Sequence, residues 1–198
     1  MRLKLFLIVI IALGAVSAIL GASSLAIFTD SQDVGSNTFT TGSVDISASP
    51  ASAVVTYSNM APGDIATGNT TISNAGSLEL RYAMTTATTN TDGKNLAGTL
   101  KARIGVQGGA GCDFPYYNAD GTTTSLTDDT QLSEGILSSA AFGSIAQGNQ
   151  AGDRTLAAAG SEVLCMSVVL PSSTGNALQS ATTTATFTFD AEQTANNP

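Results

Sequence analysis

Residues 78–88 read LELRYAMTTAT, and the alternation within them decides the fold. Leu78, Leu80, Tyr82 and Met84 fall on one face, and Glu79, Arg81, Ala83 and Thr85 on the other, as in a strand with one side buried. Residues 99–106 repeat the pattern, with Leu100, Ala102 and Ile104 inward and Lys101 and Arg103 outward. The NTDGKN stretch at residues 90–95 supplies the turn between the two.

Working outward, the same punctuation recurs. Residues 43–48 alternate so that Val44 and Ile46 share a face, and a second short strand is expected at residues 53–57, after the break at Pro50. NMAPGD at residues 59–64 is a turn, because Pro62 presets the first central position and Gly63 accepts the left-handed second one. Residues 65–73 form a polar, Thr-rich strand. EVLCMSVVL at residues 162–170 is apolar on both faces, as a strand in the middle of a two-layer core would be. ATTTATFTFD at residues 181–190 sets Ala185, Phe187 and Phe189 on one face against Thr on the other, and Thr suits the pleat through its branched β-carbon.

Between residues 107 and 160 the signal is weaker. Loops are expected at 108–111 and 118–129, a short strand at 114–117, and a short helix or a broken strand at 132–145. About nine short strands and no long amphipathic helix imply an all-β fold, an antiparallel β-sandwich of jelly-roll type with few short helices. The expected organisation is a leader at 1–26, a segment at 27–37, a sandwich domain at 38–193 and an irregular tail at 194–198.

The leader carries two positive charges, a long apolar run and small residues ending in Ser24, Leu25 and Ala26, the order of a secretory signal peptide cleaved after Ala26. An uncleaved membrane anchor is the alternative, since about 20 apolar residues span a bilayer. A type IV pilin reading lacks its processing junction. The expected location is secreted, extracellular or at the cell surface.

Composition narrows the function. Charged residues are 11% of the 198, and 42% are hydrophobic, which suits a secreted β-protein. Of seven Lys and Arg, Arg2 and Lys4 lie in the leader, leaving five against fifteen Asp and Glu, or a net charge of about −10 that repels phosphate backbones and anionic lipid. No nucleic-acid partner is expected. The chain contains no His, which removes the commonest general base and metal ligand, and no CxxC motif. No catalytic set emerges, so the expectation is not an enzyme, with no cofactor.

Three smaller features stand apart. Cys112 and Cys165 are the only cysteines, 53 positions apart. In an oxidising compartment they read as one disulfide; the alternative is two buried thiols. Asp113, Asp120, Asp128 and Asp129, with Asn118, crowd a glycine-containing loop. Of these, Asn118, Asp120, Asp128 and Asp129 are the calcium-ligand candidates, although acidic loops are more often simply solvated. Asn69, Thr70 and Thr71 form a glycosylation sequon at Asn69.

Residues 27–46, IFTDSQDVGSNTFTTGSVDI, place Phe28 and Phe39 in a polar background directly behind the leader. This segment, the NTFTTGSVDI run at 37–46, the PGD turn at 62–64, NAGSL at 74–78 and FTFDAEQ at 187–193 together resemble the TasA/camelysin family of secreted biofilm-matrix fibre subunits. The match covers about half of the mature chain, at its two ends, and includes neither cysteine nor residues 107–160. The resemblance implies a jelly-roll-like sandwich exported through a signal peptide and assembled into extracellular fibres. There the N-terminal segment of one subunit joins the sheet of the next.

On that view the partners are identical subunits in a head-to-tail polymer, with other matrix components a further option. Residues 27–37 would be the donor and Ile27, Phe28, Val34 and Phe39 its anchors. Two alternatives stand beside it: a camelysin-like surface metallopeptidase, since camelysin-type members are classed so, and a monomeric calcium-dependent adhesin.

Overall fold

The computed structural model describes residues 38–52 and 54–197. The leader at 1–26 and the anchors Ile27, Phe28 and Val34 lie outside the described residues. The chain divides into two units between Thr40 and Thr41, and the second unit holds both sheets.

One sheet has five strands in the order β1 (Ile46–Ser49), β2 (Ile65–Asn74), β7 (Ser161–Val169), β4 (Lys101–Val106) and β5 (Thr130–Ile136). The other has three, in the order β6 (Arg154–Leu156), β3 (Leu80–Thr88) and β8 (Ala185–Gln193). Every pairing is antiparallel. Helical turns among the described residues are three short 3₁₀ segments, Leu96–Gly98, Leu137–Ser139 and Asn176–Leu178. The fold is the all-β sandwich expected from the alternation.

The main core is built from the inward faces. Leu80, Tyr82 and Met84 of β3 cluster with Leu100, Ala102, Ile104, Leu164, Met166, Ile72 and Phe142, so β3 buries the residues its period selects. Each large side chain of this kind contributes roughly 1.5–3 kcal/mol on burial. Tyr82 sits edge-on to Phe142 and Phe189, with ring centroids 5.7 Å and 6.2 Å away, a geometry that suits the ring quadrupoles. The PGD turn forms as expected. Gly63 has φ +97°, Asp64 N donates to Ala61 O at 2.9 Å, and Asp64 Oδ2 accepts from Ala61 N at 2.8 Å.

β7 is the centre of the five-stranded sheet, and both of its faces are covered. Leu164, Met166 and Val168 enter the main core, while Cys165 and Val169 enter a second cluster with Tyr116 and Tyr117. The irregular excursion after β4 therefore roofs the outer face of this sheet. That explains why residues 162–170 are apolar throughout.

Two details differ from the sequence reading, and two that it left open are resolved. No strand forms at residues 54–57: Val54 and Val55 are consecutive and both pack against the core, which an alternating strand with one buried face does not allow. Residues 114–117 are not a strand either, and only Tyr117 makes an isolated bridge, to Thr123. The ambiguous stretch at 132–145 is β5 running into the 3₁₀ turn at Leu137. The tail is irregular but tethered, because Thr194 N donates to Glu79 O at 3.2 Å and Asn197 Nδ2 to Glu192 Oε2 at 2.8 Å.

A polar tie joins the layers. Glu162 at the start of β7 accepts from Tyr82 Oη of β3 at 2.5 Å and from Arg154 Nε of β6 at 3.2 Å, with a second bond from Arg154 Nη2. The Glu162 side chain is 11% exposed, so truncating it strands a tyrosine hydroxyl and a half-buried guanidinium. Glu162→Ala is expected to lower stability by about 3 kcal/mol, and Glu162→Gln by less, since the amide oxygen still accepts. Urea unfolding measures both, and a loss under about 1 kcal/mol for Ala would show that the tie is solvated.

Candidate functional site

The acidic loop resolves into capping groups. Asp113 Oδ2 accepts from the backbone N–H of Thr127, Asp128 and Asp129 at 2.7, 2.8 and 2.9 Å, and the Asp129 and Asp128 amides foremost hold its carboxyl below the usual range. Asp129, 7% exposed, takes Gly108 N at 3.0 Å on Oδ1, and Asp113 N at 2.8 Å and Tyr116 Oη at 2.5 Å on Oδ2. Burial and then this carboxylate push the Tyr116 hydroxyl well above its ordinary value. Asp120 belongs to a separate turn. Its Oδ1 accepts from Thr122 N and Oγ1 at 2.8 and 2.6 Å, which lowers its pKa. Asn118 Nδ2 donates to Thr122 Oγ1 at 3.0 Å.

The calcium candidates thus divide between two turns, Asn118 with Asp120 and Asp128 with Asp129. Asp129 in addition satisfies three protein donors, which a cation would have to displace.

Arg103, placed outward by its strand period, is 7% exposed rather than solvated. Its Nη1 donates to Thr124 O at 2.8 Å, its Nε to Gln131 Oε1 at 2.8 Å, and its guanidinium lies 5.7 Å from the Tyr116 ring centroid. Cys112 and Cys165 form the disulfide, with Cα atoms 5.8 Å apart, and no cysteine is free. It pins the loop before Phe114 to the middle of β7. Loop, arginine and disulfide make one roof over the five-stranded sheet.

Among the described residues, the one group of three or more His, Cys, Asp or Glu side chains close enough to hold a metal is Cys112, Asp129 and Cys165, with ligand atoms within 4.8 Å of one another. Its two sulfurs are bonded to each other, and metals take thiolates rather than disulfide sulfur. Both carboxylate oxygens are already used. As folded, this group does not fit a catalytic zinc, which needs three protein ligands and an open position.

The other sequence-derived residues are dispersed. Asn69 is exposed on β2, opposite Cys165, so a glycan there would project from the sheet. Phe39 is 94% exposed. Beside the three-stranded sheet, Arg81, Ser144, Ile145, Asp153, Asp190 and Glu192 line an open cleft of about 260 Å³. Arg81 is spent there on Glu192 at 2.6 Å, and this pairing depresses the Glu192 pKa. The Arg103 and Asp129 networks were not readable in the sequence, because Thr124, Gly108, Asp113 and Tyr116 lie in irregular chain and Gln131 is brought to Arg103 only by the pairing of β5 with β4. Only the double-sided apolar run of β7 announced that something covers its outer face.

The family described as camelysin metallo-endopeptidase matches the chain over residues 1–197. No curated protein matches it.

Proposed function

The chain belongs to the camelysin metallo-endopeptidase family, and from that premise we propose that it is a secreted structural subunit polymerising head to tail by donor-strand complementation. Residues 27–37 of one subunit act as the donor. Phe39 carries this reading: a large aromatic side chain stays 94% exposed just ahead of β1, which begins at Ile46. Leaving such a ring in water forgoes about 2 kcal/mol, and a neighbouring subunit recovers it. In β-augmentation, main-chain hydrogen bonds supply affinity and alternate side chains fill pockets. A contact between different surfaces of identical subunits does not close, so it grows a filament.

The second reading, a surface metallopeptidase, is favoured by the family's description alone. Zinc chemistry would supply a Lewis acid and an activated water, and the sole described ligand group is tied up in a disulfide and in hydrogen bonds. Electron microscopy of the purified mature chain, with casein hydrolysis measured with and without chelator, separates the two. Filaments without chelator-sensitive proteolysis are the expected result. Monomers that cleave casein only with zinc would overturn the structural reading.

A further inference from the structure

From the open edge of the three-stranded sheet we infer that β8 is the acceptor, and that residues 27–37 of a second copy pair along Ala185–Ala191 as a fourth strand. The inference rests on the donor reading above and adds the surface on which the donor lands.

Among the described residues, four strands end the two sheets: β1, β5, β6 and β8. β1 has four residues and β6 three, too short to template a donor. β5 has seven residues and is interrupted by a register break against β4 between Ile104 and Gly105. β8 runs nine residues, ATFTFDAEQ, in unbroken register with β3. It carries none of the Lys, Pro or bulge devices that protect edges.

The register says which groups are open. In an antiparallel ladder only alternate residues exchange bonds with a given neighbour. Thr184 O accepts from Thr89 N and Thr194 N donates to Glu79 O, so the even-numbered residues of β8 bond β3. The backbone N–H and C=O of Ala185, Phe187, Phe189 and Ala191 therefore face away from β3.

Those same four residues turn their side chains toward the core, yet all four are only partly buried. A strand laid here gains main-chain partners and apolar cover together. Nine residues span about 30 Å and an eleven-residue donor about 36 Å. In an alternating strand Phe28 and Val34 share a face, and the donor supplies these two for the cover.

Two measurements on the full mature chain test the acceptor. Ala185→Pro and Ala191→Pro each delete one outward N–H and break no bond to β3, a change that edge strands tolerate. Each is expected to keep the parent melting temperature within a few degrees and to raise the critical concentration for filaments at least tenfold. Independently, Thr188→Cys on β8 is combined with Asp33→Cys or with Val34→Cys, adjacent donor positions that sample both faces. The native cysteines are already paired.

One of the two combinations is expected to give an oxidised intermolecular dimer, and the same donors with Gln131→Cys on β5 to give none. Crosslinking to β5, or proline variants that assemble like the parent while a chain lacking residues 27–36 does not, would overturn the β8 assignment and leave the donor intact. Filaments from the shortened chain would instead remove the donor reading beneath it.

Discussion

A mature chain lacking residues 27–36 is expected to fold, melt near the parent temperature, and form no filaments. Folding should survive because the described members of both core clusters run from Ile46 onward and the second compact unit, which holds both sheets, begins at Thr41. Changes outside such features usually shift stability by less than about 0.5 kcal/mol. Assembly should not survive, since deletion removes three of the four apolar anchors, Ile27, Phe28 and Val34, and the main-chain partners at every contact along the polymer. A loss of even 4 kcal/mol per contact raises a dissociation constant by roughly a thousandfold, beyond the concentrations at which filaments would be seen. Light scattering and negative-stain microscopy read the outcome. A shortened chain that unfolds would mean that the segment completes its own sandwich, and one that polymerises would mean that assembly uses another surface.

What the sequence disclosed about this protein follows from the range of each interaction. The period of residues 78–88 is local, and the strand it specifies buries Leu80, Tyr82 and Met84. Likewise Phe187 and Phe189 were placeable on one face of β8 from spacing alone. The polar networks were not. Glu162 meets Tyr82 across 80 positions, and Arg103 is covered by a loop whose own conformation depends on Asp113 gathering three amides. Alternation reports which face a side chain occupies and is silent on whether that face is later roofed. The same limit misread the strand expected at 53–57, where Val54 and Val55, among the described residues, are held by packing and no ladder. An open sheet edge is a property of the assembled order of strands, so β8 could be named as a strand in advance but not as an edge.

Replacing both cysteines by Ala is expected to lower stability by about 4 kcal/mol, the loop-closure contribution for a bridge of this span. Sequence separation is 53 residues, so the reduced unfolded chain regains much freedom. Asp129→Ala should cost about 3 kcal/mol by leaving the Tyr116 hydroxyl and two amides without an acceptor in a largely buried site. The two losses should not add. Asp129 lies within 4.8 Å of both sulfurs, and both devices fasten the loop around Asp113 and Tyr116 onto β7. Once either is gone the loop loosens, and the other has less left to hold. The combined variant is therefore expected to lose less than the sum, by at least 1 kcal/mol in urea unfolding, with Arg103 and Tyr116 becoming solvated together. Strict additivity would mean that the disulfide acts on the unfolded chain alone and that the carboxylate by itself shapes the roof.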